Sequence, residues 1–468
     1  MPLASPRAQL SRRARIGRGI IAFAAACLLA ACSADLQTGA GPVLAPHADT
    51  ELGKRIDGAP ALAVAGARLN GELLRRFYAR HGFEPVWADR QAQADALVKV
   101  VSHAGDHGLD PELFHASLLR DRAILPAADR ELLLSDAFLS YADALARGAV
   151  PIERRKDNEA LAPEPVDVAA ALDAAIGSPD PAAAIEALAP ATPAYRALRE
   201  ALGRQRSLAA AGDAIAKLRM RVIAVNLERQ RWLPRSLPAD RVWVNVTDQK
   251  LTLYRAGRPT FSTRVVVGAD GERNQSPEFR TLIEASFYNP PWIIPKDIVT
   301  AEILPKIRRD PDYLTRNNMV MLPSGEVAQK AGPHAALGLI MFDMPNRFDV
   351  YLHDTPGKQL FSRDNRRVSH GCIRVQNPLE LAALLMDQPI DAIHDGIAMG
   401  DTTRNSLPTP VPVFVIYQTV FVDAAGKLQY RPDFYNRDAG IWRQLQRHPE
   451  RRTPPTQADN RPASAGPV

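Results

Sequence analysis

The apolar residues before position 235 recur at helical spacing. One run repeats every three or four positions and ends before the candidate C-cap Gly148: Leu134, Phe138, Tyr141 and Leu145. A second run follows the candidate N-cap Asp213, and its apolar members are Ile215, Leu218, Val222 and Val225. The pattern predicts a helical domain over residues 66–235.

From Asp240 onward the period of the apolar residues changes to two. Val242, Val244 and Val246 alternate with Trp243 and Asn245, as in a half-buried strand. Further strand-like segments follow at 282–283, 292–294, 337–342, 350–352 and 413–417. The change predicts an α+β, multidomain protein in which a mostly β domain over residues 236–446 follows the helical one.

One stretch of the second domain interrupts its strand pattern. Residues 295–332 contain mixed charges and several turn-forming residues, namely Pro305, Pro311, Asn317, Asn318 and Pro323. We predict an insertion over about residues 296–335, either functional or a solvated loop without a role.

The length and the charge of the chain limit the domain count and the classes of function to consider. A chain of 468 residues is expected to hold two or three domains. The formal charge is +6, but the first 32 residues contain five arginines and no acidic residue. The remainder carries 53 basic and 52 acidic residues, so its charge offers no argument for nucleic-acid binding.

The first 32 residues have the form of an export signal. Arginines precede the short apolar stretch 20–29, which ends in Leu29-Ala30-Ala31-Cys32. That ending resembles a bacterial lipobox, which implies that Cys32 is lipidated and that outer-membrane lipid anchors the protein in the periplasm of a Gram-negative bacterium. Ordinary cleavage after small residues is the alternative. Residues 33–65, rich in Ala, Gly and Pro, predict a flexible tether, and residues 447–468 a disordered tail.

Cys372 is the leading candidate for chemistry. The chain has three cysteines, and Cys27 and Cys32 lie in the export signal, so the mature protein keeps one thiol without a disulfide partner. An unpaired thiol in an oxidising compartment invites oxidation, which favours a nucleophile over the alternatives, a zinc ligand or a buried core cysteine.

The residues around Cys372 suit an exposed turn. Gly371 precedes it, and Asn377 follows as the predicted N-cap of a helix, with Pro378 as its first residue and Glu380 as the capping-box partner. Two histidines could activate the thiol. His370 is two residues away, and His353 ends a predicted strand 19 residues upstream. The residue pattern does not choose between them.

These residues resemble a known family. His353 with the run Ser369-His370-Gly371-Cys372-Ile373-Arg374 resembles the signature of the YkuD-type L,D-transpeptidases, in particular their YcbB-like subgroup. The match extends to five further blocks: Asn226-Leu227-Glu228-Arg229, Arg231-Trp232-Leu233-Pro234, Asn289-Pro290-Pro291-Trp292, Pro345-Asn346 and Val350-Tyr351-Leu352-His353-Asp354-Thr355-Pro356. It covers roughly residues 70–440. Many members of the subgroup insert a peptidoglycan-binding module before the catalytic domain, and this chain has no room for one.

The resemblance implies roles for individual residues. Cys372 would be the nucleophile and His353 its base, oriented by the backbone carbonyl of Asp354. Ser369 and His370 would shape the catalytic loop, while backbone N–H groups near Gly371 and Cys372 would stabilise the oxyanion. The candidate substrate-binding residues are Arg374, Tyr351 and Trp292, although Arg374 suits a surface salt bridge equally well. The insertion would be a lid over the substrate groove.

The resemblance also implies a reaction. The thiol would attack the amide that joins diaminopimelate to the terminal D-alanine of a peptidoglycan tetrapeptide stem, leaving a thioester. A second stem would accept the acyl group in a 3→3 cross-link, without a metal or other cofactor. Other cell-wall synthases are candidate partners. Alternatives are acyl transfer to water, as in a carboxypeptidase or endopeptidase, or to a lipoprotein lysine. A zinc peptidase using His353, Asp354 and His370, and a non-enzymatic wall-binding lipoprotein, are further alternatives.

Overall fold

A computed structural model describes residues 50–58, 62–423 and 425–447. The export signal with Cys32, most of the predicted tether and residues 448–468 of the predicted tail lie outside this part. Among the described residues, no helix combines the length and the apolar character needed to cross a membrane.

The first half of the described chain is helical. Its helices are α1 (Glu51–Gly58), α2 (Gly71–Ala79), α3 (Gln91–Ser102), α4 (Ala116–Arg120), α5 (Ala127–Arg147), α6 (Val168–Ile176), α7 (Pro181–Glu186), α8 (Pro193–Ala210) and α9 (Ala214–Arg231). A small hairpin, β1 (Ala63–Val64) and β2 (Ala67–Arg68), lies between α1 and α2. Both predicted helical runs form helices, α5 and α9, and Asp213 caps α9 by accepting from the Ile215 and Ala216 amides.

Two details of the helical half differ from the sequence predictions. Residues 51–58, assigned to a flexible tether, form α1, and Leu52 and Ile56 are buried in the helical core. An amphipathic pattern is therefore present earlier in the chain than its composition suggests. In α9, Ile215 and Leu218 belong to the apolar run but are exposed, because the helix buries a different face, which includes Ala216 and Ile223.

The second half is built on a sheet that closes on itself. Its strands are β3 (Arg241–Asn245), β4 (Lys250–Arg255), β5 (Arg258–Gly268), β6 (Phe279–Tyr288), β10 (Ile340–Asp343), β11 (Leu352–His353), β12 (Arg367–Ser369), β13 (Ile373–Val375) and β14 (Thr403–Ile416). The strand order is β12-β5-β13-β11-β10-β6-β14-β3-β4, and β4 also pairs with β5. The alternating apolar residues, such as Val242, Val244 and Leu352, fill the enclosed core.

Smaller elements surround this sheet. The predicted insertion contains the strands β8 (Met319–Met321) and β9 (Val327–Gln329), which form a sheet with β7 (Trp292–Ile294) just before it. It also contains helices α10 (Lys296–Ile298), α11 (Leu304–Arg309) and α12 (Tyr313–Arg316), and a π-helical turn at Val299–Ile303. It has its own apolar cluster. Helices α13 (Pro378–Met386) and α14 (Ile390–Ala398) follow β13, while the pair β15 (Val420–Val422) and β16 (Leu428–Tyr430) precedes α15 (Asp438–Leu445).

The block Asn226-Leu227-Glu228-Arg229 at the end of α9 joins the two halves. The Asn226 side chain donates to Thr419 Oγ1 at 2.7 Å and accepts from the Thr419 amide at 3.0 Å. Glu228 is fully buried and accepts from the Val150 amide at 2.8 Å and from Arg231 at 2.9 Å. Arg229 forms an ion pair with Asp438. Each buried charge in this block has a partner, as burial requires.

Candidate active site

Parallel pairing of β11 with β13 brings the predicted site residues onto one surface. The register places Leu352 beside Ile373 and His353 beside Arg374. Side chains two residues apart on a strand share a face. Tyr351, His353, Cys372 and Arg374 therefore lie on the same side, and all four line one cavity of about 400 Å³. From the strand spacing and rise, the Cα atoms of His353 and Cys372 are about 8 Å apart.

The His353 ring is held by the backbone of the next residue. Its Nδ1 lies 2.5 Å from the carbonyl oxygen of Asp354. A carbonyl can only accept, so Nδ1 carries the proton and Nε2 is left as a base. Burial, followed by the nearby Arg374 cation, lowers the pKa of His353 to about 4. The imidazole is therefore neutral at neutral pH and able to take a proton.

The Cys372 thiol is also neutral at rest. Its Sγ lies 3.7 Å from the carbonyl oxygen of Asp349, to which it donates. Burial raises the pKa of Cys372, and the Tyr351 backbone and the Arg374 cation offset this only in part. The resting site thus pairs a thiol with a neutral imidazole, and the thiol must turn from Asp349 towards His353 to lose its proton.

The hydroxyl of Ser369 binds the backbone of the loop that carries Cys372. Ser369 Oγ donates to the Cys372 carbonyl at 2.6 Å and accepts from the Gly371 amide at 3.2 Å. Gly371 has a φ of 116°, a conformation that favours glycine. Because the Gly371 N–H is already bound by Ser369, the Cys372 N–H is the better candidate for an oxyanion donor.

His370 lines the same cavity as Cys372, but its ring is bound to the insertion. It is partly exposed, and its Nε2 lies 2.5 Å from Glu302 of the insertion. The Asp354 carboxylate also has other partners. It accepts from the Leu339 amide at 3.0 Å and forms an ion pair with Lys358. The described residues hold no group of three or more His, Cys, Asp or Glu side chains able to bind a metal ion.

Arg374 has no carboxylate partner among the described residues. It is half-buried, and its Nε is buried without a hydrogen-bond partner in that part of the chain. Burial lowers the pKa of Arg374 from its ordinary value, and the neighbouring Cys372 works against that shift. An unsatisfied guanidinium facing a cavity is suited to an anionic ligand, since a carboxylate can fill its donors bidentately. The surface salt bridge considered from the sequence is not formed.

Strand β7 and the start of the insertion form another wall of the cavity. Trp292 and Ile294 of β7, and Lys296 and Ile298 of the insertion, line it together with Cys372 and His353. Asn289 lies three residues before Trp292 and has a left-handed backbone conformation, with φ of 47°. Its side-chain amide donates to the Ile397 carbonyl at 2.8 Å. Trp292 and Tyr351, both predicted to bind substrate, thus face the same space from the two sides.

Ser276 is a further residue of the site that the sequence patterns do not indicate. Its hydroxyl is buried, donates to the Gly371 carbonyl at 2.7 Å and accepts from the Gly268 amide at 2.9 Å. Its own carbonyl accepts from Arg437, which is paired with the buried Glu278. Ser276 lies 96 positions before Cys372, in the connection between β5 and β6, so no local sequence pattern links it to the loop.

Comparison with known proteins agrees with this geometry. Residues 239–413 match the family model of the L,D-transpeptidase catalytic domain, YkuD, and residues 72–202 match that of a scaffold domain. The chain therefore carries a YkuD-type L,D-transpeptidase catalytic domain behind a helical scaffold domain.

Individual relatives are more distant. The chain is 31% identical over 241 residues to a Haemophilus influenzae protein provisionally named an L,D-transpeptidase, and the match covers 47% of this chain and 48% of that protein. The chain thus spans about half the length of the curated relative it matches.

Two solved structures, the L,D-transpeptidase of Mycobacterium smegmatis and L,D-transpeptidase 1 of Mycobacterium tuberculosis, are 14% and 12% identical, with TM-scores of 0.21 and 0.19. Each match covers 38% of this chain, and 58% and 61% of the respective structures. These sequence identities and TM-scores are too low to support any conclusion beyond that of the family models.

Proposed function

We propose that this protein is a cysteine-dependent L,D-transpeptidase of the YcbB-like subgroup that forms 3→3 cross-links in peptidoglycan. The observation that carries the proposal is the shared cavity, which Cys372, His353 and Arg374 line from two paired strands. A thiol, a neutral imidazole and an unpaired guanidinium on one face supply a nucleophile, a base and an anchor for a carboxylate.

In the first half-reaction, Cys372 attacks the carbonyl carbon that joins diaminopimelate to D-alanine. The thiol proton passes to His353 Nε2 as the S–C bond forms. The amide C–N bond then breaks, His353 returns the proton to the leaving amine, and D-alanine departs. Arg374 holds a carboxylate of the donor stem, and Tyr351 and Trp292 contact its peptide. The Cys372 N–H is the donor that the oxyanion requires.

In the second half-reaction, the side-chain amine of another stem's diaminopimelate attacks the thioester. An amide bond forms, the C–S bond breaks, and the amine proton returns through His353 to the Cys372 sulfur. The same thioester would give a carboxypeptidase or endopeptidase with water as acceptor, and would attach a lipoprotein with a lysine as acceptor. The metal-dependent alternative is disfavoured, because His353, Asp354 and His370 each engage a different partner.

The test is incubation of the purified protein with disaccharide tetrapeptides that contain diaminopimelate, with products identified by mass. Release of D-alanine together with a cross-linked dimer is expected, and Cys372→Ala should abolish both. Ser102→Ala, on the exposed surface of α3, is the matched control and should leave both intact. A monomeric tripeptide as sole product would assign hydrolysis instead, and turnover that survives Cys372→Ala would refute the thioester.

We further propose that the protein is an outer-membrane lipoprotein of the periplasm, anchored through Cys32. The support is the lipobox-like end of the export signal. Metabolic labelling with an alkyne fatty acid should mark the wild-type protein and not Cys32→Ser. Labelling that persists in Cys32→Ser would refute anchoring at this residue.

A further inference from the structure

A second cavity lies on the catalytic domain away from Cys372. Its volume is about 640 Å³, and it shares no lining residue with the active-site cavity. Every residue that lines it is polar or charged: Asp248, Gln249, Lys250, Ser262, Thr263, Arg264, Arg366, Gln376 and Asn377. We call it the cationic cavity, because three of these residues are cations.

The cations of this cavity lack carboxylate partners among the described residues. Arg264 donates to the Phe361 carbonyl, and Arg366 donates to the carbonyls of Val265 and Gln249. The one lining acid, Asp248, is paired with Arg431 at 2.7 Å. Burial and the nearby Arg264 cation both lower the pKa of Arg366, and the Asp248 and Asp364 carboxylates offset part of that shift. Neither carboxylate forms an ion pair with Arg366 in the described part of the chain, so the two guanidinium groups lie close together without a directly bound anion.

Neutral groups of the cavity are also unsatisfied. Thr263 is only 6% exposed, and its hydroxyl has no hydrogen-bond partner in the described part of the chain. Asn377 precedes α13 but makes no side-chain capping bond, contrary to the sequence prediction. The helix therefore begins at the edge of the cavity with its first amides uncapped. An uncapped helix N-terminus beside unpaired cations is an environment that stabilises an oxyanion.

The position of the cavity relates it to the catalytic loop. Arg366 directly precedes β12, which leads into the loop, and Gln376 directly follows β13, which leaves it. The Gln376 amide donates to the Arg264 carbonyl at 3.1 Å. Strands of three residues span about 10 Å, so a ligand here would lie at the far end of the strands that hold Cys372.

We propose that the cationic cavity binds the free carboxylates of a peptidoglycan stem peptide that is not the one being cut. The proposal rests on the proposed function, which supplies an anionic peptide polymer as substrate. Carboxylates match the arginines and the open helix end, and the side-chain amides of Gln376 and Asn377 can pair with peptide groups. A lipid surface fits less well, because no apolar residue lines the cavity to receive an acyl chain.

The test compares binding to purified, insoluble peptidoglycan in the Cys372→Ala background, where nothing turns over. The double variant Lys250→Gln/Arg264→Gln removes two exposed cations and leaves the backbone contacts of Arg366 in place. Its affinity should fall about tenfold, as expected for the loss of charge-assisted hydrogen bonds. The control is Arg258→Gln/Arg280→Gln, two exposed arginines of β5 and β6 outside both cavities, and it should bind like the parent.

Further measurements separate this proposal from the proposed function. With Cys372 present, the double variant should keep wild-type alkylation and wild-type turnover of soluble disaccharide tetrapeptides. Free tetrapeptide should compete with wall binding more effectively than inorganic phosphate does.

Unchanged wall binding by the double variant would overturn the proposal. So would equal competition by phosphate, which would mark an adventitious ion only, or a defect limited to vesicles of phosphatidylglycerol, which would mark a membrane site. If no protein turns over muropeptides while wall binding still depends on Lys250 and Arg264, the cationic cavity stands and the proposed reaction fails.

Discussion

The hydroxyl of Ser276 donates a hydrogen bond of 2.7 Å to the carbonyl oxygen of Gly371. This contact links the segment just before β6 to the residue that precedes Cys372. Ser276 is itself held by Arg437, whose partner Glu278 also binds the segment between α5 and α6, since the Ala160 amide donates to its carbonyl. The catalytic loop is thus attached through Ser276 to the junction of the two halves.

Replacing Ser276 with Ala should misplace the loop. The variant leaves the buried Gly371 carbonyl and Gly268 amide without their partner, which costs about 1 to 3 kcal/mol of folding stability. We expect kcat for muropeptide turnover to fall about tenfold, and KM to change little, because the cavity walls remain. Steady-state kinetics and denaturant unfolding measure the two effects.

The control for Ser276 is Ser135→Ala, which removes a buried hydroxyl from the helical half. Ser135 bonds Tyr78 and Trp87, so its loss should lower the folding stability without a selective effect on kcat. If Ser276→Ala and Ser135→Ala lose the same folding stability and the same kcat, then Ser276 acts through global stability alone.

His353 should make the folded protein sensitive to acid. The pKa of His353 is about 4 in the folded protein, against its ordinary value of 6.5 in the unfolded chain. Between these two pH values only the unfolded chain binds the proton. The free energy of unfolding therefore falls as pH drops from 6.5 towards 4, by about 3 kcal/mol at most for this shift. Above pH 6.5 the group contributes no pH dependence.

Denaturant unfolding at pH 7.5 and 4.5 measures that loss. His353→Gln should reduce the difference in unfolding free energy between the two pH values by about 2 to 3 kcal/mol. His103→Gln, an exposed residue at the end of α3, should retain the wild-type difference. An identical pH difference in His353→Gln would mean that His353 is not buried as a neutral group.

How much of this structure the sequence predicts depends on how local each feature is. The alternation at Val242 and the helical run at Leu134 predict elements correctly, because the period follows directly from strand and helix geometry. For β14, the sequence pattern predicts a strand only over the last residues, 413–417. Its first part contains Pro408 and Pro410, which lack amide donors, and the structure accommodates them where the register shifts between Ser406 and Val411.

In the candidate site, too, local sequence motifs are predicted from the sequence and long-range contacts are not. The run around Cys372 and the strand that ends in His353 are visible as sequence motifs. Ser276, the Glu302–His370 contact and the cationic cavity come from separate parts of the chain, so sheet register and docking of the insertion decide them. The capping box predicted at Asn377 has the right position but lacks its side-chain bond. A local pattern specifies a helix start without specifying what its polar groups bind.

The protonation of Cys372 gives a prediction for Arg374. Alkylation by iodoacetamide reports the thiolate, so its rate should rise with pH and reach half of its maximum at a higher pH than for an ordinary cysteine, since burial raises the pKa of Cys372. Arg374 favours the thiolate, and Arg374→Gln should therefore shift the profile to higher pH. Arg404→Gln, a cation outside the cavity, should not. A wild-type midpoint below neutral pH would instead indicate a resting thiolate.

The contact between Glu302 and His370 should hold the insertion against the catalytic loop. Both groups are partly exposed, with 39% and 40% of their side chains accessible, so the pair contributes about 0.5 kcal/mol. Glu302→Ala should increase labelling of Cys372 by a bulky maleimide about twofold and lower muropeptide turnover by a similar factor, because the wall formed by the insertion opens more often. Asp312→Ala, an exposed carboxylate of the insertion without a capping bond, is the control.

A double-mutant cycle with His370→Ala separates this contact from other effects of Glu302, since the two substitutions should be non-additive by about 0.5 kcal/mol in the labelling rates. Additive effects, or labelling that is unchanged in Glu302→Ala, would mean that the insertion is held by its other contacts.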